Sequence, residues 1–252
     1  AVVIGIEQYR QRLPSADFAK HDATIMAQYL EQRMGYAAEN IVTLTNDQAS
    51  LADLTKYAET WLPNQVDANS SVFIYYSGHG APDPTTGDAY LVPYNGDPAF
   101  LQSTGYAMTR LYAQLSQLPA QDVTVVLDTC FSGAGGRSVI AQGIRPAVVT
   151  VNDPLLSSET IAVLSASTSE QISSTHMKQH HGLLTYYFLK GLQGEADGNG
   201  DGQVALEEVF EYVQPQVARV ARRAYNTEQT PQLLGAPADR QRPLVQLAPS
   251  GS

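Results

Sequence analysis

Cysteine occurs once in the 252 residues, and so does tryptophan. A single thiol excludes an intrachain disulfide, so the fold must stand without covalent staples. Lysine and arginine together number 15 against 25 aspartates and glutamates, a net charge of −10. That balance argues against a nucleic-acid partner, which needs clustered basic side chains, and it favours basic peptides instead. The sole basic cluster, ARVARRAY around Arg219 to Arg223, reads as a solvated helix face. No apolar run approaches the roughly 20 residues that cross a bilayer, so no membrane partner is expected within this segment. The chain has no internal repeat, and no G-x-S-x-G elbow follows a strand, which removes a serine hydrolase of that type. It opens on AVVIGIEQY, a strand already in progress, and reads as a fragment or processed form whose compartment is left open.

What is present alternates between strand and helix. Ala1 to Ile6, NIVTLTND, SSVFIYYSGHG, DVTVVLDTC and ETIAVLSAST read as strands. Ala23, Met26, Leu30 and Met34 recur near helical spacing after Ser15, which is taken as the cap of a first helix. SLADLTKYAETWLP begins with a Ser50/Asp53 capping box. YAMTRLYAQLSQLP, GLLTYYFLKGLQG and LEEVFEYVQPQVARVARRAY complete the helices, and DAYLVPYNGDP suits short edge pairing. Continuous apolar strands separated by helices predict an α/β domain with a parallel sheet covered on both faces. A single domain over 1–252 is expected, with an exposed loop over 134–158, rich in Gly, Ser, Pro and Thr.

Two strands end in glycine-containing loops that carry reactive side chains. VFIYYSGHG delivers His79 between Gly78 and Gly80; VVLDTCFSG delivers the lone Cys130. Ligands of open parallel sheets bind beyond the carboxyl ends of the strands, and strands joined by one crossover helix are usually neighbours. A lone cysteine is by default a small buried hydrophobe, and a histidine between glycines is often a turn residue. Their arrival at one sheet edge favours catalysis instead. The imidazole can take the thiol proton, and the thiolate is the nucleophile. Gly80 leaves room for a substrate backbone, and the amides of Gly80 and Cys130 are the expected oxyanion donors.

YYSGHG and LDTCFSG resemble the signature blocks of caspase-fold cysteine peptidases, specifically the metacaspase and bacterial orthocaspase branch, whose histidine also lies about 50 residues before the cysteine. VVIGIEQY…HDATIMAQYL is similar to that family's first strand and helix, and VLSASTSEQISS to its substrate-binding strand and loop. The resemblance runs from residue 1 to about residue 190. It implies a three-layer αβα sandwich around a mostly parallel six-stranded sheet, and amide hydrolysis through a thioester with Cys130 as nucleophile and His79 as acid–base. No cofactor is then required for the chemistry.

Caspases proper use arginines in the primary pocket, and none stands at the matching positions. Asp128, Asp22 and Ser77 stand there. Desolvated carboxylates around a slot would hold a guanidinium or ammonium, and the resemblance implies the same cut after Arg or Lys. Helix-start and loop-bracing roles are the plain alternatives for Asp22 and Asp128. Partners are therefore peptides or proteins with a basic P1 residue, and a monomer is expected. Ser165 and Ala166, in the Leu164–Ala166 region, are expected to hydrogen-bond the peptide by strand addition. Arg137 and Arg145 in the 134–158 loop are candidate self-cleavage sites.

DGNGDGQVALEE, Asp197 to Glu208, satisfies the D-x-[DN]-x-[DN]-G-x5-E pattern. Calcium ligands would come from Asp197, Asn199, Asp201, the Gln203 carbonyl and Glu208, with Gly202 at the sharp turn; a metal-free Asn-Gly/Asp-Gly turn is the alternative. No second such loop is available to pair with it. Calcium-activated relatives carry an acid shortly after the nucleophile, whereas Arg137 stands here, so any calcium effect would run through 197–208.

The alternatives are a legumain- or gingipain-like peptidase with another P1 preference, a silent caspase-fold interaction module, and a calcium sensor that explains only the 197–208 loop. His176, His180 and His181 read as solvated.

Overall fold

The structure, a computed structural model, describes residues 1–83, 86–131, 160–168, 171 and 173–247. The proposed self-cleavage loop, with Arg137 and Arg145, lies outside the described residues.

Six strands form the central sheet: β1 (Val2–Gly5), β2 (Val42–Thr45), β3 (Ser71–Ser77), β4 (Asp122–Asp128), β5 (Ile161–Ser165) and β6 (Gln232–Leu234). Their spatial order is β6-β5-β4-β3-β1-β2. The first five run parallel, and only β6 is antiparallel, against β5. This is the expected mostly parallel α/β sheet. The central strands are buried on both faces, as unbroken apolar runs require: every residue of β4 after Asp122 is buried, and every residue of β3 after Ser71.

Helices α1 (Ala19–Gln32), α2 (Leu51–Lys56), α3 (Met108–Leu115), α4 (Leu183–Lys190) and α5 (Leu206–Val220) sandwich that sheet. Alternate side chains of one strand feed two separate cores. Val72, Ile74 and Tyr76 join Leu54 of α2 and Leu111 and Leu115 of α3. Phe73 and Tyr75 join Met26 and Leu30 of α1, Phe188 of α4, and Val209 and Val213 of α5. The period-2 pattern of the strands thus decides which helix each residue meets.

The Ser50/Asp53 capping box forms as the sequence predicts. Ser15 does not cap α1. Its hydroxyl donates to the Glu7 carbonyl, and the helix starts at Ala19 after Phe18, which adopts a left-handed φ of 65°. Gly5 sets where α1 lies, because a Cβ there would run into the Ala19 carbonyl oxygen and sit 2.5 Å from the Ala23 methyl. Only glycine lets the helix rest on the end of β1, and that brings Asp22 to the carboxyl edge of the sheet.

Residues 89–91 do form a strand, but in a separate three-stranded antiparallel unit with Gly80–Pro82 and Tyr106–Ala107. Gly80 therefore enters a strand immediately after His79 rather than an open loop.

Candidate active site

Register places the two reactive side chains. Ser77 of β3 pairs with Asp128 of β4, and the chains continue to His79 and Cys130, each two residues further on. Both residues are completely buried. Gly80 packs directly on the nucleophile's backbone: a Cβ there would lie 2.6 Å from the Cys130 carbonyl oxygen and 2.7 Å from the Phe131 ring.

His79 is fixed from three directions. Its ring stacks on Tyr9 with centroids 4.8 Å apart and planes 25° from parallel. Its backbone N–H donates to the Tyr9 hydroxyl at 2.6 Å, and its Nε2 stands 2.7 Å from the Pro14 carbonyl oxygen. A carbonyl only accepts, so Nε2 is the donor here, and in the neutral ring the lone pair then falls on Nδ1. The imidazole is held in the tautomer that can receive a proton at Nδ1. Neither Tyr9 nor Pro14 was legible in the sequence.

The Cys130 thiol donates to the Gln171 carbonyl oxygen at 2.6 Å. That segment is anchored at a second point, where the Thr230 N–H donates to the Gln171 side chain at 2.7 Å.

Both predicted pocket carboxylates are fully buried, and both hold the start of α4. This helix begins after Gly182 with no side-chain cap of its own, so its first N–H groups need outside acceptors. Asp22 accepts from the Gly182 N–H at 2.9 Å, and Asp128 accepts from the Thr185 N–H at 3.1 Å. Asp128 also accepts from the Thr185 hydroxyl at 2.6 Å and from Ser173 at 3.0 Å. The Tyr75 hydroxyl lies 2.6 Å from Thr185 Oγ1 and continues the chain. Ser77 Oγ is 3.5 Å from Asp22, at the outer limit of a hydrogen bond.

Asp22 further meets His181, whose Nδ1 lies 2.7 Å from Oδ1. The reading of His176, His180 and His181 as solvated is thus corrected in part. His180 is exposed, but the His181 side chain is only 16% exposed and sits on Asp22. His176 is half-buried, and burial holds it below the ordinary histidine value.

Ser165 and Ala166, the expected peptide-binding residues, lie at and just after the end of β5. β5 is not an edge, because β4 pairs on one side and β6 on the other. The Ala166 N–H donates to Leu127 and its carbonyl accepts from Gln229. Both Ala166 backbone groups are thus engaged within the fold.

A cleft of about 460 Å³ lined by Met34, Tyr36, Trp61 and Val72 opens at the amino ends of β1 and β3, the opposite edge from His79 and Cys130. Parallel sheets do not place their chemistry there.

The acidic loop lies between α4, extended through Glu195, and α5. Gly202 has φ +79°. Asp197 accepts from the Gly200 and Gly202 N–H groups, Asn199 from that of Asp201, and Asp201 from that of Gln203. The loop does find a pairing partner: Gln203–Ala205 runs antiparallel to Pro243–Gln246. Glu208 caps α5 through Oε2 at 3.0 Å from the Ala205 N–H, while its Oε1 is buried without a hydrogen bond. Among the described residues, no three His, Cys, Asp or Glu side chains already converge as a metal cage.

An open α/β sheet that presents one histidine and one cysteine at adjacent carboxyl ends is the framework of a class of cysteine peptidases. The caspase-domain family model matches residues 1–241, and the chain belongs to that family. It is 32% identical to metacaspase-1 of Ajellomyces capsulatus and 31% identical to metacaspase-1A of Aspergillus niger, over 53% of this chain in each case. The matched segments cover 40% and 35% of those longer relatives. Among solved structures, a protein of Geobacter sulfurreducens superposes with TM-score 0.69 at 18% identity, covering 98% of both chains. Caspase-1 of Spodoptera frugiperda superposes with TM-score 0.64 at 13% identity, covering 93% of this chain and 87% of that one. These two establish the shared fold.

Proposed function

We propose that this chain is a cysteine endopeptidase that cuts after Arg or Lys through a His79–Cys130 dyad. The observation that carries the reading is the register of Ser77 with Asp128, which sets His79 and Cys130 just beyond two adjacent strand ends, with the Pro14 carbonyl on His79 Nε2.

In this reading His79 Nδ1 takes the Sγ proton, and the thiolate adds to the scissile carbonyl carbon. The resulting oxyanion is met by the Gly80 and Cys130 amides. Collapse breaks the C–N bond, His79 returns its proton to the leaving amine, and a thioester remains on Cys130. Water, deprotonated by His79, then attacks the thioester, releases the acid and restores the thiol. The Gln171 carbonyl must first leave the sulfur, since the two cannot share it with a substrate.

Buried Asp22 and Asp128 with Ser77 form the basic-P1 pocket in this reading. Their hold on α4 supports a second, purely structural role, and a single substitution separates the two. Asp128→Ala should sharply reduce cleavage of an Arg reporter relative to an uncharged one; an undiminished Arg rate leaves only the structural role. The test of the whole proposal is a P1-varied fluorogenic panel with wild type, Cys130→Ala and His79→Ala, with and without calcium. Self-cleavage at Arg137 or Arg145 belongs to the same proposal. Mass spectrometry should show the cut in wild type and not in Cys130→Ala.

Calcium is assigned to the 197–208 loop. All-oxygen ligands, Gly202 at the turn and the unbonded, buried Oε1 of Glu208 fit a hard divalent cation. Asp197, Asn199, Asp201, the Gln203 carbonyl and Glu208 would hold it. Its contribution would be structural, tying α4 to α5.

A further inference from the structure

Cys130, Asp128 and Asp22 all meet the chain between β5 and α4: Gln171 faces the thiol, Ser173 faces Asp128, and His181 faces Asp22. The last contact differs in kind, because it sets a protonatable ring on a carboxylate assigned to substrate. We propose that His181 is a specificity-setting residue, a resident stand-in for the basic P1 side chain that an incoming arginine must displace from Asp22. The inference rests on the reading of Asp22 as part of the primary pocket.

Asp22 is buried completely, with Oδ2 taken by the Gly182 N–H and Oδ1 facing His181 Nδ1 at 2.7 Å. A ligand cation that approaches Oδ1 from this side must take the place of the imidazole. His181, 16% exposed, forms the outer wall of this carboxylate, with the His21 ring centred 4.9 Å and the Tyr186 ring 6.2 Å away.

The element that carries His181 is built to yield. Thr175–His176 pairs with His181–Gly182 over only two residues per strand, and so short a hairpin is marginal by itself. Its tip turns at His180, in the left-handed region at φ 59°, and rests on Phe18 through a ring stack at 5.1 Å. Rotating the imidazole outward costs contacts with His21 and Tyr186 but leaves the Gly182 N–H on Oδ2. The vacated Oδ1 suits the planar, delocalised guanidinium of arginine, which carries several donors, better than the point charge of lysine.

Competition of this kind shows in KM and spares kcat. His181→Ala should lower KM for an Arg-P1 peptide about tenfold, the scale of one hydrogen bond to a charged group, with kcat nearly unchanged. His181→Asn sets an amide N–H where Nδ1 stood and should restore a KM close to wild type. Unchanged or raised KM in His181→Ala, where Asp22→Asn abolishes Arg cleavage, overturns the role of His181 and leaves the pocket standing. Unchanged Arg cleavage in Asp22→Asn removes the pocket reading, and this inference with it. A measurement on the wild-type protein guards against a variant that fails to fold. Saturation with a peptide aldehyde ending in arginine should shift the His181 ring resonances as the imidazole leaves Asp22. Saturation without that shift contradicts the proposal.

Discussion

His79 Nε2 lies 2.7 Å from the carbonyl oxygen of Pro14, 65 residues earlier in the chain. That contact places a backbone acceptor on Nε2, so the neutral ring is oriented with its lone pair on Nδ1. Backbone carbonyls cannot be mutated away, but the Tyr9 platform beneath the ring can be tested.

Tyr9→Phe keeps the stack on His79 and removes the hydroxyl that accepts the His79 N–H. Loss of a positioning bond of this kind should lower kcat about tenfold, with KM little changed. Tyr9→Ala removes the stack as well and should cost more. Steady-state kinetics on one basic-P1 substrate compares the two.

Gly80→Ala should be nearly inactive. The new methyl would stand 2.6 Å from the Cys130 carbonyl oxygen, closer than real side chains approach, so the nucleophile's backbone must move. The same methyl would crowd the Phe131 ring at 2.7 Å, so overpacking of about 1–3 kcal/mol should lower the thermal midpoint as well. A variant of full activity would show that the Cys130 backbone has room to spare.

Thr185→Val tests the capping of α4. It removes a buried hydroxyl that lies between Asp128 and Tyr75. Leaving those groups short of a partner costs about 1–3 kcal/mol. In a chain of this size each kcal/mol lowers Tm by about 2–4 °C. Scanning calorimetry should show the loss.

Calcium should raise Tm by several degrees at about a hundred times its dissociation constant, the expected mass-action effect. Glu208→Gln should remove most of that rise and leave the calcium-free protein close to wild type. An equal rise in both proteins would place the ion elsewhere.

The legible part of this molecule is local. Apolar runs announced β1 to β5, and the Ser50/Asp53 pair announced α2. His79 and Cys130 stood out because glycine-containing loops follow apolar strands at both. The illegible part depends on distant partners. β6 is the three-residue stretch Gln232–Leu234, too short to show a period. β6 covers β5 and gives Ser165 a neighbouring strand that no sequence pattern announced. Ser15 looked like a cap because its spacing suits one; the left-handed Phe18 delays the helix instead. The His181–Asp22 pair joins residues 159 apart, and nothing in HMKQHH distinguishes the histidine that turns inward.

The most direct test of the central claim is covalent capture. An arginine chloromethyl ketone peptide, incubated with the protein and followed by peptide mapping, should alkylate Cys130. The adduct should form far more slowly in His79→Ala, because the thiol then lacks its base. No adduct at Cys130 in wild type, or equal labelling in both proteins, would contradict a His79-activated thiolate at this sheet edge.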